Sequence, residues 1–392
     1  MDRLMRRIIH ILLLLFLPFV VGGFSTMAWG QTFKVRSKLI DEDTKIPVPG
    51  VNIYIDGDLK GISNVEGDVQ IEVNVSDTIV FALAGYEALR VHQFPLPAVI
   101  EMEPLGKLLH EVDVLSDDAV LTNTFKTLKK DSQKHKKKCR LYFNRITMES
   151  GAQTEIVEDV MEAESAVNLR CRNLLCGQYW GLAEDGDSVP SALEKIDLHW
   201  LSSAGPMMIG HQSANHYTLP FPLKFSLSRF KRIYNMTCDI LDGGEDLMYC
   251  IHFQRKRPEQ QMVLEGDLYV NFTTFRPLKF DGWINMALNI KRQQDAITIY
   301  ETESGTLNLH ISYGERHGFT EVTDMHYEFS TEGINVKSIL VNLDEGLLPQ
   351  HERVAIHNNI LDDIRKVKPI HQSLQINNII KRTAREDYII NR

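Results

Sequence analysis

Residues able to do chemistry are spread thinly along this chain. His211 and His216, with Asp197 and His199 upstream, form its densest histidine cluster. A metal there would need three or four ligands converging, each oriented by an outer partner. Neither His-Glu-x-x-His nor Cys-x-x-Cys occurs, so polar loop histidines are the plainer reading and no metal is expected. Ser228-Arg-Phe-Lys231 has the spacing with which a lysine activates a serine for acyl transfer, but neither Ser-Asp-Asn nor Lys-Thr-Gly accompanies it. His310, His317 and His326 fall in or between strand-like segments, where scattered histidines are usually structural or exposed. Glu184, Asp185 and Asp187, and Asp362 with Asp363, fit a solvated surface. Asp56-Gly-Asp58 and Glu66-Gly-Asp68 lack a full calcium-loop spacing and fit turns. No Gly-x-Ser-x-Gly elbow, phosphate loop or dinucleotide fingerprint is present, so no cofactor is expected.

The compartment follows from the N-terminus. Arg3, Arg6 and Arg7 precede an apolar run from Ile8 to Val21, and Ala28-Trp-Gly30 supplies a small-residue site, so residues 1–30 read as a secretory signal peptide cleaved before Gln31. The run is shorter than the ~20 residues a membrane span takes. No cysteine lies at the cleavage site, so a lipid anchor is not indicated. The full chain carries a formal charge of −9; the leader's Asp2, Arg3, Arg6 and Arg7 sum to +2, leaving −11 after cleavage. An acidic exported protein is poorly suited to nucleic acid. Export permits disulfides among Cys139, Cys171, Cys176, Cys238 and Cys250, with at least one thiol left over. A hairpin centred on Gly244 would set Cys238 directly opposite Cys250, close enough to bridge. Two buried free thiols are the competing reading.

The elements that must position these residues are mostly strands. Val51, Ile53 and Ile55 alternate with Asn52, Tyr54 and Asp56, and Ile71, Val73 and Val75 repeat the pattern of a half-buried strand. Ile79 to Ala84 is apolar on both faces, and Pro47, Pro49, Gly50, Gly57, Gly61, Gly67 and Gly85 punctuate the turns. Short strands with turns at this spacing indicate a small β-sandwich over residues 31–104. Pro47-Val-Pro-Gly-Val-Asn-Ile-Tyr-Ile, Gly61-Ile-Ser-Asn-Val-Glu-Gly-Asp and Ala84-Gly-Tyr-Glu87 closely resemble the carboxypeptidase-like regulatory domain of Bacteroidetes envelope proteins. Val69 stands where that family usually carries Phe. The resemblance implies a prealbumin-like seven-stranded sandwich and an envelope setting, and no peptidase chemistry. Leu108-Leu-His-Glu-Val-Asp-Val114 is similar to the segment that leads to a plug and barrel in receptors carrying this domain, but the about 280 residues that follow are fewer than a 22-stranded barrel needs.

Residues 105–138 read as a linker with a helix, whose Val120, Phe125 and Leu128 share a face, followed by the basic run Lys134-His-Lys-Lys-Lys138. That run fits an anionic-lipid contact or a solvated linker. Strands are expected over Leu141 to Thr147 and Thr154 to Glu162, a mixed turn and helix region over Ser165 to Trp180, and a long loop over Ser202 to Lys224. Strands near 233–241, 247–255, 262–271, 277–290, 296–312, 318–330 and 334–343 follow as a meander. The expected domain, 139–345, is therefore a curved antiparallel sheet resembling a half-open barrel. Tyr249 to Lys256, Leu264 to Val270 and Gly318 to Val322 are similar to the second domain of Bacteroidetes proteins that pair it with this sandwich, a domain reminiscent of periplasmic lipoprotein carriers. Residues 346–392 read as a helical tail packed on the meander.

The function expected is a non-catalytic exported cell-envelope protein, in the periplasm or on the periplasmic face of the outer membrane, with peripheral membrane contact open to it. It would bind a protein partner, or an apolar ligand such as a lipid or glycolipid, using Met207, Met208, Phe221 and Trp283 in the groove. Two alternatives stand. One is a hydrolase with a Ser or His site within residues 202–231, which requires nucleophile, base and orienting group in hydrogen-bond reach; the other is a purely structural scaffold.

Overall fold

The computed structural model describes residues 32–83, 85–92, 95–105, 115–134, 139–151, 153–165, 169–183, 223, 226–243, 246–257, 264–294, 297–316, 318–343, 353–356, 360–370 and 380–391. Alternation builds the first unit. Strands β1 (Thr32–Asp41), β4 (Asp68–Asn74) and β7 (Val99–Met102) form a three-stranded sheet in the order β4-β1-β7. β2 (Asn52–Ile55), β3 (Asp58–Ile62), β5 (Ile79–Ala82) and β6 (Leu89–Val91) form a four-stranded one in the order β3-β2-β5-β6. Leu39, Val51, Ile53, Ile71, Val73, Phe81 and Met102 bury the facing sides in one core. The motif residues between strands are structural: Ser63 Oγ donates to the Val48 carbonyl and accepts from the Val51 amide, and Asn64 Oδ1 accepts from the Glu66 and Asp68 amides. Glu66 and Asp68 thus belong to an Asn-closed turn.

The second unit is an eleven-stranded antiparallel sheet that does not close. β8 (Cys139–Ser150), β9 (Gln153–Ser165) and β10 (Leu169–Ala183) come first in the chain; β11 (Tyr234–Gly243), β12 (Asp246–Arg255), β13 (Glu265–Asn271), β14 (Pro277–Gln294), β15 (Ile297–Arg316), β16 (Phe319–Ser330) and β17 (Ile334–Leu343) follow as the expected meander, with the two-residue β18 (Val354–Ala355). Their order is β11-β12-β13-β14-β15-β16-β17-β8-β9-β10-β18. Ser165 to Trp180, expected as mixed turn and helix, is instead mostly β10. Bulges between Cys171 and Asn173 and between Leu174 and Cys176 break its period, which hides the strand in the sequence.

The sheet's two faces differ in chemistry. One carries Tyr142, Ile146, Val157, Ile251, Phe253, Leu268, Phe280, Leu309, Phe329 and Val336, all essentially buried. Helix α1 (Asp117–Lys134) lays Val120, Leu121, Phe125 and Leu128 on it, and the short α2 (Leu227–Ile233) adds Phe230 and Ile233. Phe230 packs edge-on against Phe125 and Phe253 at 5.4 Å between ring centroids in each case. At ~25 cal/mol per Å² of apolar surface removed from water, this face is the main source of the sheet's stability.

The opposite face meets the sandwich and the C-terminal segment. Ile62 of β3 bridges to Ile380, and both are fully buried with Phe143, Val160 and Ile339. Lys279 Nζ lies 5.8 Å from the Tyr86 ring and 5.5 Å from the Tyr269 ring, pinned by Asp281 at 2.9 Å. Arg145 and Arg382 both bond Glu158, at 2.8 Å each, and Arg145 also donates to the Ile380 carbonyl, at 3.3 Å. Burial alone would raise the Glu158 pKa, but the two guanidiniums outweigh it and hold the carboxyl below its ordinary range. Helix α3 (Ile360–Ile364) packs Leu361 and Ile364 into the helix-side core. Helix α4 (Ala384–Ile390) closes the chain with a capping box between Thr383 and Glu386. No described helix is long and apolar enough to cross a membrane, which says nothing of β-strands.

Candidate functional site

Strand register lines up polar side chains that lie far apart in sequence. On the face opposite the helices, Thr237 of β11 stands across from His252 of β12, His252 from Asp267 of β13, Asp267 from Asp281 of β14, Asp281 from His310 of β15, and His310 from His326 of β16. The row beside it runs Glu265, Trp283, Asn308, Glu328 and Lys337. Side chains so opposed lie close enough to interact. Both rows, apart from Glu265, line a cleft of about 680 Å³ that Pro49 and Val65 of the sandwich help to wall.

Asp267 directly opposite Asp281 is a repulsive pair unless each carboxylate is separately compensated. Each is. His252 Nδ1 lies 2.6 Å from Asp267 Oδ1, and its Nε2 3.0 Å from Asp239 Oδ2. Burial alone would lower the His252 pKa; the two carboxylates overcome it and hold the imidazole above its usual range. Asp281 bonds His310 Nδ1 at 2.7 Å and Lys279 Nζ at 2.9 Å, which outweigh burial and keep it below the usual carboxylate range. Gly266 permits the approach of β13 to β14: its φ is +151°, and an added Cβ would lie 1.9 Å from the Asp281 carbonyl oxygen.

His326 is the exception in the row. It is 7 % exposed, and neither ring nitrogen makes a hydrogen bond, although Asp324 Oδ1 lies off-line at 3.3 Å from Nε2. Gly50 covers it. At φ +77° this glycine sits so close that a Cβ would fall 2.1 Å from His326 Nε2. The sandwich therefore reaches the sheet through a backbone that only glycine allows at that point.

Trp283, one of the residues expected to contact ligand, stands in the cleft with 40 % of its surface exposed. Met207, Met208 and Phe221, the other expected groove residues, lie outside the described residues, as do Asp197, His199, His211, His216 and His317. The basic stretch from His135 to Lys138 lies outside them too. The direct opposition of Cys238 and Cys250 that a bridge would need is corrected by the register. Cys238 pairs with Ile251 and Cys250 with Asp239, one residue out of step, so the two side chains emerge on opposite faces and both are free thiols. Cys238 faces α1, where its sulfur lies 4.0 Å from the Asp117 carbonyl, and Cys250 faces the polar row. Lys231 is held by Asp118 in an ion pair, and exposed Ser228 bonds Ser226 Oγ at 3.1 Å.

Sequence reasoning missed His252, Asp267 and Asp281, and named Cys250 only as a possible bridge partner. The signal it had was the alternation in Tyr249-Cys-Ile-His-Phe253, which puts Cys250 and His252 on one face of β12.

No family model matches the chain, and no curated protein matches its sequence. Among solved structures, a provisionally named outer membrane lipoprotein-sorting protein domain from Vibrio parahaemolyticus aligns at 8 % identity and a TM-score of 0.26, covering 59 % of this chain and 95 % of that one. A DUF1329 family protein from Desulfovibrio piger aligns at 11 % identity and a TM-score of 0.24, covering 58 % and 95 %. Superpositions this loose assign neither fold nor activity to this chain.

Proposed function

We propose that the chain is a non-catalytic binding protein of a bacterial cell envelope, and that its ligand is the saccharide portion of an envelope glycolipid, seated in the cleft between sandwich and sheet. One observation carries the reading: an exposed indole, Trp283, stands in a row of hydrogen-bonding side chains that line the cleft, with Asn308 opposite it and Glu328 and Lys337 beyond. A sugar ring offers a flat C–H face to an aromatic platform and hydroxyls to carboxylates and amides around it, and a pocket of this size suits one or two rings. The sheet's apolar face, where an acyl chain would otherwise lie, is covered by α1 and α2. That moves the reading from the lipid tail to its headgroup. The leader and the regulatory-domain resemblance of residues 31–104 support the envelope setting. A hydrolase has less support, because Ser228 and Lys231 are engaged elsewhere.

Native mass spectrometry of the mature chain purified from its own envelope, followed by extraction, reads the ligand directly. The expected result is a co-purifying glycolipid, retained by the parent and lost by Trp283→Ala, with core oligosaccharide binding at least about tenfold more weakly to the variant, the scale of losing one well-packed aromatic contact. Equal retention by a folded Trp283→Ala would remove the cleft as the seat.

A further inference from the structure

The side chains of Cys250, His252 and Asp267 bring three potential ligand atoms within 4.8 Å of one another. We propose that Cys250 Sγ, His252 Nδ1 and Asp267 Oδ1 form a binding site for one divalent transition metal, zinc by preference. This does not rest on the saccharide reading, since the metal can be titrated alone.

The donor set determines the class of ion. A thiolate and an imidazole with one carboxylate suit zinc and its neighbours, whereas calcium and magnesium take oxygen ligands. Two adjacent strands supply all three donors: Cys250 and His252 alternate on one face of β12, and Asp267 stands opposite His252 on β13. Surrounding groups are placed as metal sites require. His252 Nε2 faces Asp239 Oδ2 at 3.0 Å, a carboxylate that fixes the tautomer leaving Nδ1 for the metal. Tyr269 stands directly opposite Cys250 on β13. Ligand atoms around tetrahedral zinc lie roughly 3.3–3.6 Å apart, given bonds of about 2.0–2.3 Å. Two of the separations here, 2.6 Å from His252 Nδ1 to Asp267 Oδ1 and 3.9 Å from Cys250 Sγ to His252 Nδ1, straddle that range, and the third lies within 4.8 Å, so loading requires the side chains to readjust. Loading displaces the thiol proton and the proton shared by His252 and Asp267 to solvent. Cys250 is buried, while His252 and Asp267 line the cleft, so the remaining coordination position opens toward the cleft. The competing account has no metal: His252 is an imidazolium clamped by Asp267 and Asp239, beside a packed thiol.

The test titrates the chelator-stripped mature chain with cobalt(II), then displaces it with zinc(II). The expected result is one cobalt per chain with a thiolate-to-metal charge-transfer band. Cys250→Ser should abolish the band and weaken binding at least about tenfold, and Asp239→Asn should keep the band with affinity reduced about 10- to 100-fold. If Cys250→Ser fails to fold by circular dichroism, His252→Gln is measured in its place, with the same loss of affinity expected. A parent chain without the band, or variants at either position binding cobalt as the parent does, overturns the proposal.

Discussion

Asp159 of β9 is fully enclosed on the helix-side face of the sheet, with Asn144 donating to one carboxyl oxygen at 3.0 Å and the other left without a hydrogen bond. Burial raises its pKa to about 8, and nearby Glu158 adds to the rise. The sign follows from linkage. A carboxyl whose folded pKa lies above its unfolded 3.8 contributes stability that is intact below that pH and is lost as pH rises toward the folded value. Asp159→Asn keeps the acceptor for Asn144 and removes the titration. Its melting temperature should therefore vary less between about pH 4 and 8 than the parent's and exceed it at neutral pH. A parallel pH dependence in the two proteins would show that Asp159 is charged in the folded state. Nothing in the sequence marks this residue, because Glu158 and Asp159 read as an ordinary acidic pair. Their faces decide their fates: Glu158 meets two guanidiniums, and its neighbour meets Asn144.

Among the elements, the meander was legible because its strands have a buried face and end at turn residues such as Glu332-Gly333. Alternation tells which face a residue takes, but not which residue of the next strand it meets. That second quantity builds the site: His252, Asp267, Asp281, His310 and His326 come from five strands and form a row only in one set of registers. The one-residue error that would have bridged Cys238 to Cys250 shows how little tolerance there is. Gly266 tests the same point. With φ at +151° and the Asp281 carbonyl where a Cβ would go, Gly266→Ala should destabilise the chain by roughly 2–5 kcal/mol in urea titration, combining backbone strain with overpacking. A loss under about 0.5 kcal/mol would show that β13 and β14 separate freely there.

At the scale of the whole molecule, two units with separate cores share a small third one. Ile62 from the sandwich, Phe143, Val160 and Ile339 from the sheet, and Ile380 from the C-terminal segment form it, and Lys381 reinforces it with Asp68 at 3.5 Å. The full mature chain should unfold in one calorimetric transition. Ile62→Asp, which buries an unpaired carboxylate at that junction, should split it into two. A single unshifted transition in the variant would mean that this junction is not what couples the two units. The residue pattern does not mark this joint, because apolar content shows that Ile62 and Ile380 are buried but not that they meet.

The offset of Cys238 and Cys250 also sets a condition on folding wherever thiols can be oxidised. In an oxidising compartment the unfolded chain presents these two thiols across a short loop, and linking them is easy. The native pairing places them on opposite faces, so a bond made early would hold β11 and β12 one residue out of step and turn the polar row inward. Once the strands have zipped in register, the sheet itself separates the sulfurs. In such a compartment folding and oxidation would race, and the hairpin would protect its thiols only by closing first.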